Sequence, residues 1–230
     1  MSTLNREIIV RTNSLRESSG GTNLPNGSRS LRLQLCVKRC MDPLVALVLV
    51  LLLLPLFVVI GLLVYFEDGV PVIHRRKVIG VAGEFDAFKF RTMRRDADSI
   101  LASNPTLLAE YQRSFKLVND PRVTKLGAFL RKVSLDELPQ LFNVLLGQMS
   151  LVGPRMITAP ELEKYGPYRT VLLTSKPGLT GYWQVFGRQA VSYEERIRMD
   201  MYYLNNWSLG MDLAILLQTP LKVLKMEGAF

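Results

Sequence analysis

Leu44–Phe66, LVALVLVLLLLPLFVVIGLLVYF, is a run of 23 residues without a single charge. Stretches longer than roughly 18 apolar residues are read as membrane segments. A soluble core helix is rarely apolar on every side for so long. Pro55 stands at the midpoint, with 11 residues on either side. A mid-helix proline removes a backbone hydrogen bond and clashes with the preceding turn, so it kinks the helix. Each arm then measures roughly 16 Å at about 1.5 Å per residue. That is enough for one leaflet of a roughly 30 Å hydrocarbon core. Arg29, Arg32, Lys38 and Arg39 precede the run, and Arg75, Arg76 and Lys77 follow it. Positive residues mark the cytoplasmic side, and here they mark both flanks. A helix that enters, bends at Pro55 and returns satisfies both. An ordinary span with a tolerated proline is the other reading, and these two features do not choose between them.

Outward from this run the chain changes character on each side. Residues 1–33 are rich in Ser, Asn and Gly with scattered Arg, which predicts a disordered tail. No apolar stretch lies near residue 1, so a signal peptide is not expected. The membrane helix is expected over 34–66 and a cytoplasmic catalytic domain over 67–230. The 230 residues carry a net charge of +9, with 29 basic and 20 acidic residues. Such a balance suits phosphorylated substrates, anionic lipid head groups or nucleic acid. Cys36, Cys40 and His74 are too few for a structural zinc site, and the two cysteines read as reduced thiols.

Within 67–230 the patterning is mixed. Phe85–Met93 reads as a strand with Lys89 and Arg91 on one face and Phe88 and Phe90 on the other. Asn119–Arg122 reads as a turn, Val123–Lys132 as a short basic helix and Pro139–Leu146 as another. Tyr193–Asn206 and an amphipathic Leu209–Lys225, bent or ended at Pro220, are expected helices. The fold class is therefore α+β and helix-rich. It combines the membrane helix with a domain holding a small β element and amphipathic interfacial helices.

Ser134-Leu135-Asp136-Glu137 precedes Pro139. Ser-x-x-Glu ahead of an apolar run resembles a capping box, and acids near a helix start suit its dipole. The same residues can do chemistry. One carboxylate attacks phosphorus while its neighbour handles a proton, because successive helical residues point roughly 100° apart. A carboxylate facing a diphosphate needs cations, and Arg131 and Arg155 lie close in sequence. Gly153-Pro154-Arg155 reads as a tight turn presenting that arginine.

Taken together, these segments resemble a known family. The runs are Lys89-Phe90-Arg91-Thr92-Met93, Asn119-Asp120-Pro121-Arg122-Val123-Thr124 and Ser134-Leu135-Asp136-Glu137-Leu138-Pro139-Gln140-Leu141. They continue with Met149-Ser150-Leu151-Val152-Gly153-Pro154-Arg155, Pro177-Gly178-Leu179-Thr180-Gly181 and Trp183-Gln184-Val185-Phe186-Gly187-Arg188. In this order and spacing, from about Gln34 onward, the chain resembles the bacterial sugar transferases, the monotopic phosphoglycosyl transferases. The chain looks like their minimal form. The resemblance implies a re-entrant helix broken at Pro55 with both ends cytoplasmic, on the inner membrane. It implies that Asp136 takes a phosphosugar covalently from a UDP-sugar while UMP leaves. Polyprenyl (undecaprenyl) phosphate then accepts the phosphosugar, as the first membrane step of polysaccharide or glycoconjugate synthesis.

The resemblance further implies Mg²⁺ with Asp136 as its contact, Glu137 as second member of the dyad, and Arg131 and Arg155 near the phosphates. Lys89 and Arg91 join them as candidate phosphate-binding cations. Two positions differ from the family pattern: Met156 replaces a proline, and Phe186 replaces a Ser or Asn. Tyr182-Trp183-Gln184 looks more like members that transfer hexoses. Expected partners are the UDP-sugar, the polyprenyl phosphate and anionic lipid, not nucleic acid; homo-oligomerisation is left open. The alternative is a non-enzymatic membrane-anchored scaffold or signalling protein, which would transfer nothing.

Overall fold

The computed structural model describes residues 26–114, 117, 120–187 and 191–224. The first element among the described residues is a 43-residue helix, α1 (Asn26–Asp68), that contains Pro43 and Pro55. Each proline leaves the carbonyl four residues back without its helical donor, yet the helix runs on through both. Only 17% of its most apolar 18-residue window is buried within the protein. Leu44, Leu51, Leu52, Val58, Leu62 and Phe66 stand exposed on it. A soluble core helix would be covered, so this apolar surface marks the chain as membrane-bound.

The helix starts eight residues before the expected Gln34, so residues 26–33 are helical rather than part of a tail. Those residues lack apolar periodicity, so the sequence alone does not extend the helix to them. The Gln34 side chain accepts from the Leu209 backbone N–H at 3.1 Å. The rest of the expected tail lies outside the described residues, as do Asn119 and Arg188.

After α1 the chain forms an antiparallel hairpin, β1 (Ile73–Gly80) and β2 (Gly83–Phe90), in which His74 opposes Lys89 and Arg76 opposes Ala87. Helices α2 (Ala97–Ala102), α3 (Pro105–Ser114) and α4 (Lys125–Lys132) follow. Thr124 caps α4 by accepting from Gly127 N–H at 2.9 Å. A 3-10 turn, Leu135–Glu137, leads into α5 (Gln140–Leu145). The short strand β3 (Ser150–Val152) pairs in parallel with β4 (Gly178–Thr180). Between them lie α6 (Ala159–Glu163) and α7 (Arg169–Leu172), and α8 (Tyr182–Phe186), α9 (Tyr193–Asn206) and α10 (Leu209–Leu224) complete the domain. The helix-rich α+β class with a small β element is thus observed, and α9 has the expected bounds. The amphipathic helix also forms, with Pro220 inside it.

One face of α1 belongs to the domain core. Ala46 and Val50 join Leu141, Val144, Met149, Leu151, Val152, Val185, Tyr203 and Ile215 in the largest apolar cluster. Farther along, Ile60 and Val64 pack with Phe90 and Leu130. Polar groups fasten both flanks of the apolar run of α1 to the same domain. On the first flank, Lys38 Nζ donates to Asp212 at 2.5 Å and to Val152 O at 2.9 Å, and Ser150 Oγ donates to Asp42 at 2.6 Å. On the second flank, Arg91 Nη2 donates to the carbonyls of Asp68 and Gly69 at 2.8 and 2.9 Å. Arg95 N–H donates to the Asp68 carboxylate at 2.8 Å.

Candidate active site

The dyad is carried by the 3-10 turn rather than by the first turn of a longer helix. Three residues per turn put Leu135 and Leu138 on one side, and both pack against the Ile60–Val64–Phe90–Leu130 cluster. Asp136 and Glu137, between these two apolar anchors, line a broad open cleft. The capping-box alternative for Ser134 is not what forms. Ser134 adopts a left-handed conformation with φ 54° and makes no side-chain cap bond, and Pro139 occupies the cap position of α5. A reciprocal cap forms elsewhere: the Glu161 carboxylate accepts from the backbone N–H and the hydroxyl of Thr158, both at 2.9 Å.

Asp136 is only 6% exposed. Burial raises its pKa above the usual carboxylate range, while Lys89 and then Arg131 pull it down. Burial, then the negative charge of Asp136, raises Glu137, and Arg155, Lys89 and Arg76 oppose the shift. Lys89 is lowered by burial, with Asp136 the main opposing influence. The fold thus gathers Lys89 from β2, Arg131 from α4 and Arg155 from the β3 turn around two carboxylates. Among the described residues, no ion pair within 4.0 Å ties Lys89, Arg131 or Arg155 to a carboxylate. Cations and carboxylates thus line the same cleft without closing on one another.

Each cation has a local reason for its place. Arg131 donates from Nε to Thr92 Oγ1 at 2.8 Å. That bond needs α4 to lie close to Thr92, and Gly127 permits it: a Cβ there would stand 2.2 Å from Thr92 O. Arg155 follows Gly153 and Pro154, and Gly178 donates to Pro154 O at 2.9 Å. A Cβ on Gly178 would meet Gly153 N at 2.1 Å, so two glycines let the strands approach and aim the turn. Met156, where the family pattern has proline, packs partly buried against the main core and anchors the turn by its side chain. Phe186, the other difference, is 41% exposed and stacks on Tyr182 at 4.8 Å between centroids.

Arg91 borders the cleft but is not gathered with the other cations. It sits just past the end of β2, and its guanidinium binds the carbonyls of Asp68, the last residue of α1, and of Gly69, a position that the helix dipole favours. Arg76 and His74, which no motif singles out as site residues, also line the cleft. Arg76 pairs with Glu161 at 3.2 Å. His74, opposite Lys89 on the hairpin, has its pKa lowered by burial and then by Lys89 and Arg76. The signal was present in the short Gly80–Gly83 connection, because a tight hairpin there puts His74 beside Lys89.

Comparisons with known proteins bear on this site. A family model described as bacterial sugar transferase matches residues 33–226. The chain is 44% identical over 199 residues to an undecaprenyl-phosphate galactose phosphotransferase of Salmonella typhimurium (strain LT2), covering 84% of this chain and 42% of that protein. It is 46% identical over 198 residues to the exopolysaccharide production protein ExoY of Rhizobium meliloti (strain 1021), covering 84% and 88%. It is 35% identical over 206 residues to a UDP-glucose:undecaprenyl-phosphate glucose-1-phosphate transferase of Xanthomonas campestris pv. campestris, covering 84% and 40%. The chain spans 42% of the length of several of the curated relatives that it matches.

Proposed function

The chain belongs to the bacterial sugar transferase family, and on that premise we propose that it transfers a sugar 1-phosphate from a UDP-sugar to polyprenyl phosphate. The observation that carries this reading is the buried Asp136 facing Lys89 and Arg131 without closing an ion pair. In the first half-reaction an Asp136 carboxylate oxygen attacks the sugar-bearing phosphorus. The bond from that phosphorus to the bridging oxygen breaks, and UMP leaves with the oxygen. In the second, a phosphate oxygen of the acceptor attacks the same phosphorus. The acyl-phosphate bond breaks, Asp136 regains its carboxylate, and a polyprenyl diphosphate sugar forms. Splitting one displacement into two is the logic of covalent catalysis. Lys89, Arg131 and Arg155 neutralise the phosphate oxygens, and Glu137 handles a proton or helps to organise the metal. Arg91, bound to the end of α1, steadies the hairpin that carries Lys89.

Mg²⁺ fits this site. Among the described residues no group of three or more His, Cys, Asp or Glu side chains gathers to hold a metal. Mg²⁺, however, usually takes one or two carboxylates and completes its shell with substrate phosphate and water. Asp136, with Glu137 beside it, would hold the ion, which supplies charge neutralisation to the diphosphate. A hexose as the sugar is supported by Tyr182-Trp183-Gln184 and by relatives named for galactose and glucose transfer. Release of UMP from UDP-galactose or UDP-glucose, dependent on Mg²⁺, together with radiolabel in an undecaprenyl product, tests the assignment. Absence of transfer with any UDP-sugar would favour the scaffold reading.

The same reading places the domain on the cytoplasmic face of the inner membrane, with α1 re-entrant and bent, without a break, at Pro55. Its support is that one domain binds polar groups on both flanks of the apolar run, Lys38 and Asp42 before it and Asp68 after it. A straight span would put a roughly 30 Å hydrocarbon core between them. Leu213, Leu217 and Leu221, exposed at intervals of four along α10, form a stripe suited to the interface, and basic residues face anionic lipid. Cys36 and Cys40 are exposed, so they are first replaced by Ser. Single cysteines at Ser28 and at Lys77 are then expected to react with an impermeant maleimide only from the cytoplasmic side. Periplasmic labelling at position 28 would establish an ordinary span.

A further inference from the structure

Beyond Arg155 the cleft continues to a second set of donors that the dyad chemistry has not used. Arg196, in the first turn of α9, places its guanidinium carbon 4.6 Å from the ring centroid of Trp183. The guanidinium carbon of Arg155 lies 5.1 Å from the same centroid. Arg196 Nε and Trp183 Nε1 are both buried, and among the described residues neither has a hydrogen-bond partner. Among the described residues no carboxylate pairs with Arg196 or Arg155 within 4.0 Å. The nearby acids are committed elsewhere. Asp200, whose pKa burial pushes up to about 6, accepts from Tyr165 OH at 2.8 Å and from Arg155 N–H at 3.4 Å. Glu161 is held by Arg76 and Thr158. Burial, then repulsion from Arg155, lowers the pKa of Arg196.

Two guanidinium groups that repel each other, with buried N–H groups left unsatisfied, are costly unless an anion joins them. A neutral hexose offers no charge to them, whereas a phosphate offers oxygens for both forks and for the indole N–H. Arg155 is the link between the two sets, since it lines the same cleft as the dyad and its guanidinium shares the Trp183 ring with that of Arg196. Displacement at phosphorus is in line. The departing oxygen of the first half-reaction and the entering oxygen of the second therefore both lie opposite the Asp136 carboxylate, and both belong to phosphate monoesters.

We propose that Arg196 and Trp183, with Arg155, form a phosphate-monoester subsite separate from the Lys89–Arg131 pair. It holds the phosphate of the departing UMP in the first half-reaction and the phosphate of the polyprenyl acceptor in the second. The assignment rests on the transfer reading above and adds which groups serve the leaving and entering phosphates.

The test is titration calorimetry on the full chain in nanodiscs, with UMP, uridine and a short polyprenyl monophosphate as separate probes. None of these reacts alone, so binding is read without turnover. Arg196→Ala is expected to weaken UMP and the polyprenyl monophosphate each by roughly 10- to 100-fold, and to leave uridine unchanged. Arg196→Lys should recover part of the loss, because it keeps charge without the fork. Trp183→Phe, which keeps the aromatic face and removes the N–H, should weaken both monoesters several-fold. These two milder variants, with unfolding midpoints measured without ligand, separate binding from folding. Equal UMP affinity in wild type and Arg196→Ala would overturn the subsite and leave the transfer reading standing. Loss of UMP affinity with unchanged polyprenyl monophosphate affinity would overturn its shared use. A wild-type chain that binds neither monoester would overturn both readings.

Discussion

Asp136→Asn is expected to abolish the first half-reaction, with turnover falling by roughly four to six orders of magnitude, the scale on which a lost nucleophile acts. A neutral amide has no carboxylate to form the acyl phosphate. The experiment is incubation with UDP-sugar and Mg²⁺ without acceptor, then rapid quench and intact-protein mass spectrometry. A hexose phosphate adduct should appear on the wild-type chain and be absent from the variant, and UMP should be released before acceptor is added. Folding should not explain the loss. Burial raises the pKa of Asp136 in the folded state, so the ionised side chain is disfavoured by folding above its unfolded pKa. A neutral isostere removes that penalty, and the unfolding midpoint of Asp136→Asn at pH 7 should equal or exceed that of the wild type. Glu137→Gln should also slow turnover, through proton handling or metal organisation. Retained activity in Asp136→Asn, or intersecting kinetics with no trapped adduct, would mean direct transfer between the two substrates.

Arg155→Ala is expected to lower kcat by roughly two to three orders of magnitude, the usual effect of removing one preorganised charged donor from a developing anion. Arg155→Lys should recover only part, because a point charge replaces a planar fork. The geometry makes this a test of the side chain alone. The turn is held by backbone bonds, Gly178 N–H to Pro154 O and Gly153 N–H to Thr180 O, which truncation leaves in place. What is lost structurally is the guanidinium contact with Trp183, about 0.5–2 kcal/mol, measurable as a small shift in unfolding midpoint. Near-wild-type turnover with intact folding would remove Arg155 from the phosphate-binding set.

Much of this protein is legible along the chain because its strongest signals are local. A run of 23 uncharged residues needs no partner to declare a membrane helix. The periodicity of Tyr193–Asn206 and Leu209–Lys225 located α9 and α10 to within a residue. The alternation around Lys89 placed it on the strand face that reaches the cleft. Where local rules competed, the chain alone did not decide. Ser134-x-x-Glu137 satisfies a capping motif, yet Leu135 and Leu138 are drawn into the cluster on α1 and tighten the segment into a 3-10 turn. Arg91 has the same strand parity as Lys89, but β2 ends between them and the carbonyls at the end of α1 take its guanidinium.

What the sequence determined by itself is therefore the membrane helix, the helix-rich α+β class and a short set of candidate acids and cations. Hydrophobic periodicity and charge are properties of neighbouring residues. What only the tertiary structure decided is which of those residues meet. Lys89, Arg131, Asp136 and Arg155 come from four separate segments, and Arg196, which no sequence motif singles out, comes from a fifth. The close glycine contacts at Gly127 and Gly178, and the packing of Leu135 and Leu138 on α1, bring them to one cleft. Proximity between distant segments is set by packing of the whole core, which no local pattern encodes.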